Sequence, residues 1–399
     1  MHIKRRTFLQ TGSLATASLL VPRFLKAFEN GAAVPAGNKV VVVLQLSGGN
    51  DGLNTVIPYR NDVYYSARPR LHIERSKALT LTDEAGLHPA LTAFKEAYDS
   101  GDLGIINSVG YANPDRSHFR SMDIWQTGSS SSDYWSTGWL GRYLDEQCKS
   151  CNHPTQALEI DDVLSLALKG EAQKGLALKD PRKLFGSSNE KFFKQLAAQE
   201  HQHHHEAPVD YLYKTLSETV SSADYIFKQS RLRPSQTVYP KTDLGNSLKT
   251  IASLIFSDIN TKVYYVSLGS FDTHINQPAQ QQRLFTQMNE AVGAFIKDLK
   301  SANRFNDVLL FTFSEFGRRV AQNASNGTDH GTANNMFFVS GGLKQKGLLN
   351  GLPDLTQLQD GDLQHSVDFK QVYATVLHNW LGTSPEAILG EKYSRLSFI

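Results

Sequence analysis

The chain has 399 residues, of which 40% are hydrophobic and 20% charged, with a net charge of +2. That length suits one large globular domain with a sizeable core. The near-neutral charge, with no basic stripe and no basic–aromatic interleaving, argues against a nucleic-acid partner, and no internal run is long enough to span a bilayer.

The N-terminus reads as a targeting segment rather than part of a fold. Lys4-Arg5-Arg6-Thr7-Phe8-Leu9-Gln10 precedes a modest apolar stretch, Leu14 to Val21. Paired arginines followed by Phe-Leu resemble a twin-arginine export signal. The expectation is therefore a signal over residues 1–30, a small-residue linker over 31–38, and one domain over 39–399. The twin-arginine translocase would be the export partner, and the destination would be the periplasm or outside the cell.

Lys39–Leu46 is a continuous apolar run with valine at 40 to 43, the pattern of a central parallel strand buried on both faces. It breaks off into Gly48-Gly49-Asn50-Asp51. The spacing predicts a helix over His88 to Tyr98, a strand over Leu103 to Val109, and a helix over Ser117 to Gln126. From Gly128 to about Pro240 the signals weaken, which reads as a variable insertion of about 128–240. Cys148 and Cys151, with His153 behind them, form half a zinc site at most, and a disulfide or free thiols fit them better. The tract His201 to His205 is compositional only and reads as a solvated loop; Asp210 to Gln229 reads as a long surface helix.

Helix and strand alternate again in the second half. Leu244 to Ile259 is amphipathic, Val263–Leu268 is a strand, Arg283 to Leu299 a helix, Val308–Phe313 a strand, and Phe369 to Leu381 a final helix with Gly382 as its C-cap. The alternation predicts an α/β fold: a doubly wound, mostly parallel sheet with helices on both faces.

Acids and histidines stand where strands end. Asp51 follows the first strand, Asp272-Thr273-His274 the third, and Ser314-Glu315 the fourth. Asp329-His330 lies just ahead of the run Met336–Val339. Ligands bind outside the carboxyl ends of strands in open sheets, and gathered carboxylates and imidazoles suit a divalent metal. Asp51, Asp272, His274, Glu315, Asp329 and His330 are thus candidate ligands. Several also have an ordinary structural use: turn chemistry for Asp51, turn capping for Asp272 with His274 packed nearby, and an ion pair for Glu315. Ser117 opens a helix, where a hydroxyl serves either as an N-cap or, beside a metal, as a nucleophile. Arg116, Arg120 and Arg318 are candidates to neutralise an anionic substrate. His118 is expected to neighbour the site without acting as a general base.

The segments LQLSGGNDGLNTVIPY, GLHPAL, RSHFRSMDIWQTG, VSLGSFDTH, FSEFGRRV, NGTDHGTANNMFFVSGG and DFKQVYATVLHNWLG resemble the bacterial family called domain of unknown function 1501. The resemblance implies the alkaline phosphatase–sulfatase superfamily: an alkaline phosphatase-like sheet, one or two divalent metals (zinc, calcium or magnesium) and a Ser, Thr or modified Cys nucleophile. It implies an exported hydrolase of phosphate or sulfate esters of small molecules or glycans. Asp51 falls at that superfamily's first-strand metal aspartate, Ser117 at its nucleophile, and His330 at its last metal histidine. Asp272 and His274 are spaced more closely than that superfamily's pair, and Glu315 stands where phosphatases carry Asp-His. The alternative is an exported binding or scaffold protein that has kept the fold and lost the chemistry.

Overall fold

A computed structural model describes residues 39–147, 155–190, 220 and 222–399. Its main sheet contains β1 (Val40–Leu46), β2 (Leu103–Gly110), β3 (Ala157–Glu159), β4 (Val263–Leu268), β5 (Val308–Phe313) and β6 (Asn334–Val339). The principal helices are α1 (Thr92–Asp99), α2 (His118–Thr127), α3 (Trp139–Gln147), α4 (Asp243–Phe256), α5 (Gln277–Ser301) and α6 (Phe369–Thr375). The strand order is β2-β6-β5-β1-β4-β3, with short strands continuing both edges. β1 pairs parallel with β4 and β5, and β3 parallel with β4, whereas β6 runs antiparallel to both β2 and β5.

The continuous apolar strands are explained by the two layers they face. Val40, Val42, Leu44 and Leu46 of β1 join a core with α1, α4 and α5, while Val41 and Val43 join the opposite core with α2, α3 and α6. β4, β5 and β6 divide the same way: Leu310 lies on one side and Leu309 and Phe311 on the other. The two-residue period of a strand sends every second side chain to each layer, so a strand covered on both faces cannot alternate with polar residues. The α/β expectation holds, with one reversed strand inside an otherwise parallel arrangement.

That reversal positions the site. Because β6 runs backwards, its start lies at the same edge as the ends of its neighbours: Asn334 pairs with Val109, at the end of β2. The loop carrying Asp329 and His330 into β6 therefore reaches the edge where β1, β4 and β5 deliver their trailing residues.

Element boundaries moved where polar residues are buried. α5 begins at Gln277, six residues before the apolar periodicity starts, because Gln277 and Gln281 are buried and hydrogen-bonded rather than exposed. The segment expected to be a variable insertion contributes more than surface: Ala157–Glu159 and Leu176–Ala177 extend the main sheet. The final helix passes through a π turn, Val376–Trp380, before Gly382 at φ +69°. The signal and linker, Cys148 and Cys151, the His201–His205 tract and most of the expected 210–229 helix lie outside the described residues. Among the described residues, no helix is long and apolar enough to cross a membrane.

Candidate metal centre

Two glycines let β1 end against its neighbours. Gly48 and Gly49 hold φ of +118° and +75°, conformations that an L side chain rarely adopts. A Cβ at Gly48 would strike the Phe271–Asp272 backbone, and one at Gly49 would strike the Phe316 ring. The turn is closed by the buried Arg318 guanidinium. Its Nε donates to Gly49 O (2.6 Å), Nη1 to Thr328 O (2.9 Å), and Nη2 to the carbonyls of Gly48 and Phe271 and to Asp272 Oδ1 (2.7 Å). One planar fork thus ties together the ends of β1 and β4 and the loop before β6.

Around Asp272 Oδ1 three imidazoles gather. His274 Nε2 stands 3.1 Å away, His330 Nε2 3.4 Å and His118 Nε2 3.7 Å, and the Nε2 atoms of His274 and His330 are 2.9 Å apart. His118, Asp272 and His330 can each offer an atom within 4.8 Å of the others.

The other ring nitrogens decide the tautomers. His118 Nδ1 meets Glu315 Oε1 at 2.8 Å, His274 Nδ1 meets Asp329 Oδ1 at 3.2 Å, and His330 Nδ1 meets the Arg116 carbonyl at 2.8 Å. Carboxylates and carbonyls only accept, so each Nδ1 carries the hydrogen and each neutral ring keeps a bare Nε2 lone pair. The Nε2 atoms of His118 and His330 face one place together with a carboxylate oxygen, and His274 Nε2 stands beside it against Asp272 and His330. Two bare nitrogens 2.9 Å apart repel unless a proton or a cation lies between them.

The spacing fits a small ion. Ligands ~2.0–2.2 Å from a tetrahedral ion stand roughly 3.3–3.5 Å apart, and the contacts above scatter around that value. An imidazole whose far nitrogen donates to a carboxylate or carbonyl is the usual arrangement of a metal-binding histidine. The donor set therefore suits a divalent metal on chemical grounds.

Four of these groups have pKa values displaced by their surroundings. The Glu315 hydrogen bond raises the His118 pKa, with its burial opposing. Burial lowers that of His330, against the pull of the Arg116 carbonyl. For Asp272, burial pushes upward, but the hydrogen bond and charge of Arg318 outweigh it and the net shift is down. The hydrogen bond from Asn323 leads in holding Asp329 low.

The sequence candidates separate into different jobs. Asp272, His274 and His330 come together at the centre. Glu315 and Asp329 stand one step back, each orienting a histidine, and Glu315 also accepts from Gly48 N (2.8 Å). Asp51 has other partners: its Oδ1 caps Leu53 N (3.2 Å), while Oδ2 pairs with Arg68 (2.6 Å) and accepts from Gln277. Both Asp51 and Arg68 are buried. Arg120 donates to the carbonyls of Ser130, Ser131 and Asp133 and lies 3.8 Å over Tyr134, so it braces a loop. Arg318, with its donors given to carbonyls and Asp272, is likewise part of the frame. Ser117 occupies the N-cap position of α2 but makes no side-chain cap bond, and it is exposed.

His118 is the donor that sequence reasoning placed beside the site rather than in it. Its signal was present: it opens a helix that follows a strand end, in the motif Arg116-Ser117-His118. What sequence lacks is Glu315, 197 residues away, which turns the ring inward.

A family model described as "Protein of unknown function (DUF1501)" matches residues 111–392. Comparison with curated proteins gives no match. Among solved structures, the chain is similar to the lipoteichoic acid synthase LtaP from Listeria monocytogenes, with 9% identity, a TM-score of 0.40, and coverage of 91% of this chain and 78% of that one. It is similar to a protein in the alkaline phosphatase superfamily from Vibrio parahaemolyticus, with 10% identity, a TM-score of 0.37, and coverage of 99% and 80%. It is also similar to the PsFucS1 sulfatase from Pseudoalteromonas sp., with 13% identity, a TM-score of 0.37, and coverage of 99% and 75%. Likenesses at this level say nothing about chemistry.

Proposed function

The chain belongs to the DUF1501 family, and on that footing we propose that it is an exported, metal-dependent hydrolase of phosphate or sulfate esters. The observation that carries this reading is the gathering of three Nε2 atoms, each ring held by an acceptor on its far nitrogen, around a single carboxylate oxygen. His118, Asp272 and His330 would hold the ion, with His274 alongside Asp272 and His330. Two imidazole nitrogens with one carboxylate oxygen favour zinc over calcium or magnesium, which prefer all-oxygen shells.

A divalent ion there supplies Lewis acidity toward an ester oxygen. The protein's part is orientation. Glu315 and Asp329 fix two rings, the Arg116 carbonyl fixes the third, and Arg318 holds Asp272 against the strand ends. Ser117 is the candidate nucleophile: its hydroxyl is exposed, uncommitted as a cap, and next in sequence to His118. The α2 N-terminus would stabilise negative charge on that oxygen by about 0.3–1 kcal/mol, a small addition to what the cluster contributes. Small-molecule and glycan esters both fit this reading as substrates. Export by the twin-arginine route is supported by Arg5-Arg6 ahead of an apolar stretch; replacing both with lysine should leave precursor in the cytoplasm, and normal export would refute that route.

One observation favours the second reading, an exported binding or scaffold protein. The first-strand acid, Asp51, is neutralised by buried Arg68 instead of standing free. The deciding experiment is metal analysis of protein purified without chelator, together with assays of aryl phosphate and aryl sulfate cleavage. The hydrolase reading expects one equivalent of metal and turnover that Ser117→Ala abolishes. Metal without turnover supports the scaffold reading, and no bound metal overturns the site.

A further inference from the structure

The long helix α5 starts on a residue that the metal-centre reading above does not use. Gln277 is its first residue and is fully buried. Its side-chain amide meets three segments. Oε1 accepts from Thr328 Oγ1 at 2.6 Å and from Thr273 Oγ1 at 3.2 Å, while Nε2 donates to Asp51 Oδ2. The Asp51 carboxylate, paired with Arg68, only accepts. The amide must therefore turn its NH2 toward Asp51 and its carbonyl toward the threonines, which then both donate.

The two threonines belong to the segments that carry the centre. Thr273 lies between Asp272 and His274, and Thr328 directly precedes Asp329 and His330. Both threonines are buried, whereas the Asp272 and His274 side chains are 48% and 40% exposed. Neighbours along an extended chain face opposite ways, so the segment shows its ligand groups outward and its hydroxyl inward. The two segments also touch directly. Thr328 N donates to Thr273 O at 3.2 Å, and a Cβ at Gly327 would strike the His274 carbonyl. Gln277 N adds a bond to Asn326 O at 3.0 Å.

We infer that Gln277 is a positioning residue for the centre. Its carbonyl draws the threonines of both ligand-bearing segments to one point, which sets His274 against His330. Its NH2, turned to Asp51, fixes the direction of that carbonyl. The inference deepens the metal reading and rests on it for the ion, but the geometry needs none. His274 Nε2 and His330 Nε2 stand 2.9 Å apart, so a small slip of one segment against the other changes whether a cation can lie between them. A buried network whose members are all satisfied holds such a spacing rigidly.

The test has two readouts on the full chain: zinc affinity by competition with a chromogenic chelator, and imidazole ring signals by proton–nitrogen NMR of chelator-treated protein. Gln277→Met, which keeps the volume and loses the amide, should weaken zinc binding roughly 10-fold, the lower end of the loss when the support of a metal-binding histidine is changed. It should also move the His274 and His330 ring signals while leaving those of His378, in the π turn of the final helix, where they are. Thr328→Val should act the same way, and Thr328→Ser, which restores the hydroxyl, should return both readouts to near the parent's. Phe311→Ala, a core variant away from these segments, should lower stability without either effect. Zinc affinity or ring signals of Gln277→Met that match the parent's overturn the inference, as do Thr328→Val and Thr328→Ser that behave alike. If Gln277→Met fails to fold, the two Thr328 variants decide by the same readouts. A parent that takes up no zinc refutes the metal reading by itself, and the metal-free ring signals still decide the role of Gln277.

Discussion

The two buried or half-buried acids at strand ends, Asp51 and Asp272, show how residue identity underdetermines role. Asp272 Oδ1 lies among three imidazoles, whereas Asp51 pairs with Arg68 where both side chains are almost wholly shielded. Removing one partner of a buried pair strands the other charge and costs about 3–5 kcal/mol. Asp51→Ala should therefore lower the denaturation midpoint strongly while the protein that remains folded keeps its metal; loss of metal with unchanged stability would make Asp51 a ligand after all. Glu315 makes the opposite case. It touches His118 rather than the centre, so Glu315→Gln should weaken metal binding by ~10–100-fold, as expected when a histidine's outer partner is changed. Competition with a chromogenic chelator reads this directly, and unaltered affinity would remove Glu315 from the site.

At the scale of elements, the site depends on how β1 stops. Its last turn passes so close to the segment after β4 that only glycine fits at 48, and the φ of +118° excludes other residues on conformational grounds as well. Gly48→Ala should cost more than ~1 kcal/mol and, by pushing the Phe271–Asp272 backbone away, should also weaken metal binding. A substitution far from that turn separates the two effects. Phe311→Ala empties buried volume in β5 and should cost ~3–5 kcal/mol while leaving metal affinity intact. Equal effects of both variants on metal would mean that the donors follow global stability rather than strand-end geometry.

At the scale of the whole molecule, one buried group couples stability to pH. His88 packs edge-on against Phe285, with ring centroids 4.9 Å apart, and accepts from Ala90 N through Nδ1. Burial drives its pKa down to about 4, with Asp51 pulling the other way. The sign follows from linkage. The unfolded chain takes up the proton near pH 6.5, the folded protein only near pH 4, so falling pH favours the unfolded state across that interval. The contribution of neutral His88 is complete above about pH 6.5, is lost progressively down to about pH 4, and amounts to on the order of 3 kcal/mol. Denaturant titrations at pH 7 and pH 4.5 should differ by less in His88→Asn than in the parent, and an identical pH slope would dismiss His88 as the cause.

What the sequence determined by itself is what local pattern encodes. Apolar runs such as Val40–Val43 and Val308–Phe313 specify strands covered on both faces, and the spacing of Leu284, Met288, Val292 and Phe295 specifies one face of α5. Placing acids and histidines just past those runs was enough to point at the sheet edge, and the glycine pair after β1 announced a close turn. Tertiary structure alone decided the rest. The reversal of β6, which brings His330 to that edge, is a matter of strand pairing that no local period records. The early start of α5 depends on buried glutamines meeting Asp51. Above all, the division of labour among the acids is set by partners far away in sequence: Arg68 claims Asp51, Glu315 turns His118 inward across 197 residues, and Arg318 bonds Asp272. A carboxylate's role follows from which charge the fold places against it, and that charge is delivered by a different segment of the chain.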